Sequence, residues 1–367
     1  MGMKQLKHLN WYMKDYRKLT INPNVSISDA MKYLNTAPLK CLIVIDDGKK
    51  LIGTLTDGDI RRAILGGAVF SEPIEKYLCK EPTVLIEDAF TTEEAIGLLK
   101  NKKLELIPIL NKENILVELI SIEDSALEHE SSKNILTEIP VVIMAGGKGT
   151  RLEPFTKILP KPLVPIKDKP IIEHIINRFK NMGCNSFFLT INYKSKIIKA
   201  YFEELEYNHK ISFVDESQPL GTAGSLKYLD GALDKPFFVT NCDVIIETNY
   251  QKLYQFHLDN NNDITLVASA KEYIIPYGAC ELDQNGYLSH INEKPKYDFL
   301  LNTGLYILNP SILKMIPEGK FFHITHLIEA AKNNGKKVGI FPIDDGAWID
   351  IGEWAEYKKA IEHFNSD

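Results

Sequence analysis

The chain of 367 residues carries five cysteines, an odd number, placed singly at Cys41, Cys79, Cys184, Cys242 and Cys280 with no C-x-x-C pair. That spacing argues against a disulfide framework and a clustered-thiol zinc site, and predicts a reducing, cytoplasmic setting. No apolar run reaches the ~18 to 20 residues of a membrane span. The opening "MGMKQLKHLNWYMKDY" lacks the apolar centre of a signal peptide, so neither a membrane partner nor secretion is expected. An excess of positive charge is missing too. Against 43 basic side chains stand 49 acidic ones, leaving −6, which argues against a nucleic-acid partner held by bulk phosphate attraction. Any basic chemistry has to be local.

What the chain does have is length enough for two or more domains, each with its own core. The first third holds an internal repeat, over about residues 19–67 and 80–126, of a β-rich entry, an amphipathic helix, a strand, a turn and a strand. In the first copy Ala30, Met31 and Leu34 form a helical stripe after the capping residues Ser28 and Asp29, and "CLIVID" and "KLIGTLT" read as strands joined at "DGKK". Ala95, Ile96, Leu98 and Leu99 followed by "LELIPIL" and "ILVELIS" make the second. One copy cannot bury its faces alone, so the two are expected to stack into one domain over residues 1–133. The polar stretch 127–139 marks a boundary, with a second domain over 138–367.

From residue 140 strands alternate with helices, such as "IIEHIINRFKNMG" with Gly183 at its C′ position, which predicts an α/β fold: a Rossmann-like, mostly parallel sheet covered on both faces. Later, "ACELDQNGYLSHI" reads as a hairpin turning at Asn285-Gly286, a lid or substrate wall, and "LLNTGLYIL" as a further strand. Trp354, Tyr357 and Ile361 mark the inner face of a closing helix.

The densest signal is "VVIMAGGKGTRLEPFTKILPKPLVPI", residues 141–166. A strand feeding "AGGKGTR" presents backbone N–H groups with no Cβ in the way, and Arg151, Lys157 and Lys161 add positive charge, which suits a phosphate; a tight turn among surface lysines is the plain alternative. Spacing excludes a P-loop, because Lys148 is followed by Gly149, and a dinucleotide fingerprint, because Leu152 stands where the third glycine belongs. His323 and His326 in "FFHITHL" lack the H-E-x-x-H pattern, so Thr325 is expected to cap a helix there rather than a metal to bind. Cys242 is expected to be a buried packing residue.

"AGGKGTRLEPFTKILPKPL" resembles the signature of the sugar-1-phosphate nucleotidyltransferases, and the resemblance continues in order through "QPLGTAGSL", "NCD", "PYG", "NEKP", "NTGLYIL" and "WIDIG" over residues 138–367. It implies a partner pair of nucleoside triphosphate and sugar 1-phosphate, joined with release of pyrophosphate. It also implies that Ala145, Gly146, Gly147, Gly149 and Thr150 line the triphosphate, that Arg151 and Lys161 neutralise it, and that Gln218, Gly221 and Thr222 face the base. Asp243 and Asp350 would hold Mg²⁺ as cofactor. Gly278, Glu293, Lys294, Asn302 and Trp348 would meet the sugar or its phosphate. Replacing Lys161 by Ala is expected to lower turnover far more than it alters folding.

The repeat resembles a tandem cystathionine β-synthase (CBS) pair, a regulatory module that binds adenine nucleotides. Gly53, Thr56 and Asp59 match its G-x-x-T-x-x-D run; in the second copy Val117 and Ile120 stand at the glycine and threonine positions and only Glu123 keeps an acid. One nucleotide site or none is therefore expected, with a homo-oligomer surface as the alternative use. "PLGTAG" and "WIDIGEWAEY" look most like guanylyltransferases, and the CBS fusion is similar to relatives that activate glucosamine 1-phosphate for nonulosonic (legionaminic) acid pathways. GTP with glucosamine 1-phosphate is the resulting expectation. Guanylyl transfer to mannose 1-phosphate and thymidylyl or uridylyl transfer to glucose 1-phosphate stay open. A nucleotide-sensing protein without catalysis is the non-enzymatic reading, against which Arg151, Lys161, Asp243 and Asp350 are all present.

Overall fold

The computed structural model describes residues 16–121, 135–205 and 210–366. It divides into two units, residues 1–131 with 270–299, and residues 132–269 with 300–367. Most of the polar stretch expected to link two domains, and Glu123, lie outside the described residues. Leu136 and Ile139, at the end of that stretch, are buried in the core of the second unit.

In the first unit, copy one runs β1 (Thr20–Ile21), α1 (Ile27–Thr36), β2 (Cys41–Ile45), β3 (Leu51–Thr56) and α2 (Asp57–Leu65). Copy two runs β4 (Leu85–Ile86), α3 (Thr92–Lys102), β5 (Leu106–Leu110) and β6 (Leu116–Ser121). Each strand of the second copy begins 65 residues after its counterpart. The seam between the copies obeys the same offset: Leu51 N–H donates to Asn114 O at 3.0 Å and Leu116 N–H to Lys49 O at 2.9 Å. Asp46 Oδ1 accepts the Lys50 N–H at 2.8 Å, and Asn111 Oδ1 accepts the Ile115 N–H at 2.9 Å. The stacking expected from sequence is thus a two-fold exchange of backbone hydrogen bonds. Leu106, Leu110, Leu116 and Leu119 of copy two join the core of copy one.

Two details correct the sequence reading. Helix α1 starts two residues early, because the Ser26 hydroxyl, not Ser28 or Asp29, caps it by accepting the Asp29 N–H at 3.1 Å. In β3, Gly53 faces Val44 and Thr56 faces Cys41; in β6, Glu118 faces Ile109 and Ser121 faces Leu106. Glu118 and Ser121, rather than Val117 and Ile120, therefore occupy the glycine and threonine positions, since both hairpins carry an irregularity at the same place and a one-residue slip changes the face. Copy two keeps a hydroxyl.

The glycine of copy one is demanded by packing. A Cβ on Gly53 would lie 2.5 Å from the Cys79 carbonyl oxygen, which accepts the Thr54 N–H at 3.1 Å. Thr56 and Asp59 form a capping box on α2, with the Thr56 N–H donating to Asp59 Oδ2 at 2.8 Å.

The second unit begins with β7 (Pro140–Met144), α4 (Phe155–Ile158), the short pair β8 (Pro165–Ile166) and β9 (Lys169–Pro170), α5 (Ile171–Asn181), β10 (Ser186–Ile191), α6 (Ser195–Glu203) and β11 (Lys210–Asp215). It continues with β12 (Phe237–Asn241), β13 (Val244–Ile246), α7 (Tyr250–Asp259) and β14 (Ile264–Ile274). A hairpin of β15 (Gly278–Leu282) and β16 (Leu288–Glu293) follows, then β17 (Lys296–Leu308), α8 (Ile324–Asn333), β18 (Val338–Asp344), β19 (Trp348–Asp350) and α9 (Trp354–Ser366). The stretch "TAGSLKYL", which reads as a helix, is a 3-10 turn over Gly224–Leu229. The hairpin and the adjoining ends of β14 and β17 cluster with the first unit.

Seven strands form one sheet in the order β11-β10-β7-β12-β17-β14-β18. β7 pairs parallel with β10 and β12, β10 parallel with β11, and β17 antiparallel with β12. Alternate residues feed different cores: Val141 and Ile143 pack with Phe179 and Phe238, while Val142 and Met144 pack with Phe237 and Leu327. This is why the strand is apolar throughout, as a sheet covered on both faces requires. Helix α5 buries Ile171, Ile172, Ile175, Ile176 and Phe179 and ends at Gly183, φ +105°, in the predicted C′ position. The four parallel strands end together, and the site lies on the loops that leave them.

Gly53→Ala is expected to lower the stability of the first unit by about 1–3 kcal/mol, because the new methyl must displace a hydrogen-bonded carbonyl. Urea denaturation of the full chain measures this.

Candidate active site

Strand β7 delivers Ala145, whose N–H donates to Thr190 O at 2.9 Å, and then the glycine loop. A Cβ on Gly146 would lie 2.7 Å from Glu216 Oε1, so the bare glycine lets the loop lie close over that carboxylate; nothing lies within 4 Å of a Cβ on Gly147. Gly149 has φ +68°, and a Cβ there would sit 2.8 Å from Lys161 Cβ. The Thr156 hydroxyl donates to Gly149 O at 2.9 Å. Gly149 is thereby laid against the Lys161 side chain, just ahead of Thr150 and Arg151.

Lys161 is only 8% exposed and Asp243 only 9%, and they form a buried ion pair. Asp243 follows β12, and β13 then pairs antiparallel with β19, placing Val244 opposite Asp350. Ile351 N–H donates to Asp243 O at 2.8 Å. Strand pairing therefore carries an aspartate from the end of the chain to the first one. A Cβ added to Gly352 would lie 2.9 Å from Asp350 Oδ1 and 3.3 Å from both Arg151 Nη2 and Asp243 Oδ2, so these groups converge. Burial first, then the charge of Asp243, push the Asp350 carboxyl up; the Gly352 N–H, at 2.7 Å, and Lys161 and Arg151 oppose the shift. Arg151 also pairs with Glu353 at 2.9 Å.

Two adjacent acids, one of them held at a raised value by burial and then by the other's charge, fit a divalent cation. A hard cation of the magnesium type takes one or two carboxylates and completes its shell with water and phosphate oxygens. Among the described residues no group of three or more His, Cys, Asp or Glu side chains could hold a metal. His323 and His326 serve the start of α8 instead. His323, not Thr325, is its N-cap and donates its N–H to His326 Nδ1 at 3.3 Å; the Thr222 hydroxyl accepts the Ile324 N–H at 3.0 Å. Burial pushes the Cys242 thiol up to about 12, as befits a packing residue.

The other residues implied for the base act on their own loop. Gln218 Nε2 donates to Gly319 O at 2.9 Å, and a Cβ on Gly221 would lie 2.7 Å from Phe322 O. With Thr222 they tie the loop after β11 to the segment before α8. Glu216 was missed by the sequence reading, although its place just after a parallel strand matches that of Asp243. Burial pushes its carboxyl up, partly offset by the Leu220 N–H and the Ser225 and Thr190 hydroxyls.

Arg151, Thr222, Asp243, Asn302, Trp348 and Asp350 line a cleft of about 240 Å³. Asn302 Oδ1 accepts from Gly304 N–H at 3.1 Å and Tyr306 OH at 2.9 Å, which leaves its amide nitrogen to donate. The Trp348 indole N–H is buried with no partner among the described residues. Gly278, Glu293 and Lys294 are gathered by the hairpin, in the first unit: Gly278 faces Glu293, and Lys294, with φ +48°, donates its N–H to Tyr277 O at 3.3 Å.

Burial gives Lys161 a structural role that the sequence reading did not assign. Lys161→Met is expected to cost about 3–5 kcal/mol by leaving Asp243 unpaired. Lys161→Met/Asp243→Asn should recover most of that in denaturant melts. The raised value of Asp350 makes its charge costly above the ordinary carboxylate range. Below that range the group is protonated in both states, folded and unfolded. Asp350→Asn should therefore raise the Tm of chelator-treated protein at pH 7 and leave it unchanged near pH 3.

Comparison with known proteins places the chain in a family. The family model "Nucleotidyl transferase" matches residues 140–367, and a "CBS domain" model matches residues 13–66, the first repeat. Mannose-1-phosphate guanyltransferase of Pichia angusta is 37% identical over 232 residues, covering 60% of this chain and 62% of its own. The mannose-1-phosphate guanylyltransferase catalytic subunit beta of Drosophila melanogaster is 35% identical over 221 residues, covering 58% of this chain and 59% of its own. The chain thus spans about three-fifths of the length of the curated relatives it matches. A crystal structure of HddC from Yersinia pseudotuberculosis aligns over 62% of this chain and 99% of that one, at 30% identity and a TM-score of 0.50. With its family match covering well over half of its length, and with a CBS domain match ahead of it, the chain belongs to the nucleotidyl transferase family.

Proposed function

We propose that the second unit transfers a nucleotidyl group from a nucleoside triphosphate to a sugar 1-phosphate. The observation that carries this is the convergence of Arg151, Lys161, Asp243 and Asp350 beside a loop whose glycines leave the backbone bare. An oxygen of the sugar phosphate attacks the α-phosphorus, the bond to the bridging oxygen of the β-phosphate breaks, and pyrophosphate leaves. The attacking oxygen is already ionised at neutral pH, so the chain's task is to position two anions and offset their charge. Arg151 and Lys161 supply positive charge to the phosphates, and the 145–150 loop supplies N–H donors. Asp243 and Asp350 would hold a divalent cation, with Mg²⁺ the ion their oxygens suit, which when bound neutralises phosphate charge. Asn302 and Trp348 would donate to the sugar phosphate.

Guanosine is the base this reading favours. The relatives are named guanylyltransferases, and a carboxylate such as Glu216 can accept from two adjacent donors, as N1–H and the 2-amino group of guanine offer and uracil or thymine do not. The relatives' names favour mannose 1-phosphate over the glucosamine 1-phosphate suggested by the CBS fusion, so mannose 1-phosphate is the first sugar to test. The first unit fits regulation by an adenine nucleotide, for which a hollow of about 300 Å³ lined by Asp59, Arg62 and Tyr77 offers room. Exposed apolar side chains on the hairpin, including Tyr277, Leu282 and Tyr287, support a homo-oligomer. No described helix is long and apolar enough to cross a membrane, and the five cysteines are free, which suits the cytoplasm.

Pyrophosphate release measured with Mg²⁺ across GTP, dTTP, UTP, CTP and ATP against mannose, glucosamine, glucose and N-acetylglucosamine 1-phosphates tests the reading. Release is expected in the GTP row and highest with mannose 1-phosphate. Lys161→Met/Asp243→Asn should be at least 100-fold slower although folded. Silence in every row, with and without AMP or ATP, would overturn the assignment.

A further inference from the structure

Three consecutive residues at the end of β10, Asn192, Tyr193 and Lys194, each reach a different loop of the site. The Asn192 side-chain amide donates to Glu216 O at 2.8 Å, holding the loop that follows β11. The Tyr193 N–H donates to Gly146 O at 3.4 Å, holding the entry of the glycine loop. Lys194 Nζ lies 2.6 Å from Lys157 O, 2.8 Å from Ile158 O and 3.4 Å from Thr156 O, so a single ammonium collects the carbonyls at the end of α4. The Tyr193 hydroxyl, 3.4 Å from Thr156 O, joins it.

These carbonyls are orphans by geometry, because a helix of four residues satisfies almost none of its own, and a cation at a helix C-terminus meets both their lone pairs and the negative end of the dipole. Thr156 is tied on its other side to Gly149, and Lys161 lies three residues beyond Ile158. Fixing this turn therefore fixes where the glycine loop ends and where Lys161 begins. Lys194 adopts a left-handed backbone, φ +53°, at the start of α6, a conformation that a non-glycine residue adopts at a cost.

We infer that Lys194 is a positioning residue for the triphosphate, acting through the turn 156–158 and with Asn192 and Tyr193 as the hub of the nucleotide side of the site. It holds the loops from behind and touches neither the paired carboxylates nor the cleft lining. The inference rests on the proposed nucleotidyl transfer and makes a distinct statement: the nucleotide half of the reaction depends on Lys194 and the sugar half does not.

The experiment is steady-state kinetics of the full chain and of Lys194→Met and Lys194→Arg, with GTP and mannose 1-phosphate varied in turn, accompanied by thermal melts with and without GTP. For Lys194→Met the KM for GTP is expected to rise at least tenfold, the KM for the sugar phosphate to stay within about twofold, and the rise in Tm on adding GTP to shrink. Lys194→Arg, which keeps a cation and several donors, should restore the KM for GTP to within about threefold. Should Lys194→Met not fold, Lys194→Gln carries the same expectation. Equal changes in both KM values, no change in either, or an arginine variant as impaired as the methionine one would overturn the inference. An inactive parent chain, by contrast, would refute the proposed function; there the GTP-dependent melts decide whether Lys194 governs nucleotide binding.

Discussion

The ammonium of Lys161 sits almost out of water against Asp243, and much of the second unit is arranged so that this pair can exist. An ion pair removed from solvent is favourable only when its geometry is held closely, because desolvation of both charges offsets most of their attraction. Glycine at 149 lets the glycine loop close over the lysine stem, and Thr156 locks that closure. The pairing of β13 with β19 then brings Asp350 beside Asp243, so that two carboxylates share one lysine and one arginine, and the arginine is also paired with Glu353. Under the proposed function, a cation together with polyanionic substrates would complete the site.

The first unit follows a different constraint. Its two copies are identical in spacing, with hydrogen bonds exchanged across the seam at Lys49, Leu51, Asn114 and Leu116, and leucines of copy two complete the core of copy one. Register matters here in a chemical sense. The alignment at 65 residues gives copy two Ser121 in place of Thr56, whereas Gly53, packed against Cys79, is replaced by Glu118. The copies have kept a hydroxyl and diverged where the backbone packs closely.

A large part of this organisation was legible in the sequence because it depends on neighbours along the chain. The repeat, the glycine loop, the alternating strands and helices and the C′ position of Gly183 are all written in patterns along the chain. The errors were also local. Cap assignment at Ser26 and His323 moved by two residues because several capping residues stood side by side, and the CBS register moved by one because apolar and polar residues alternate too weakly in "ILVELIS". Glu216 and the Asn192-Tyr193-Lys194 hub left no recognisable motif, since what distinguishes them is which loops they touch.

Sequence alone determined the family: a Cβ-free loop followed by spaced cations suits phosphate, and the order of the later motifs narrows the chain to one family. Only the tertiary structure decided which of those residues share a site and at what cost. Asp243 and Asp350 are separated by more than 100 positions in the chain, and Lys161 becomes a buried partner rather than a free surface cation only once β12, β13 and β19 close around it. The physical reason is that burial and Coulomb interactions depend on distance through space, and the sequence shows only the distance along the chain.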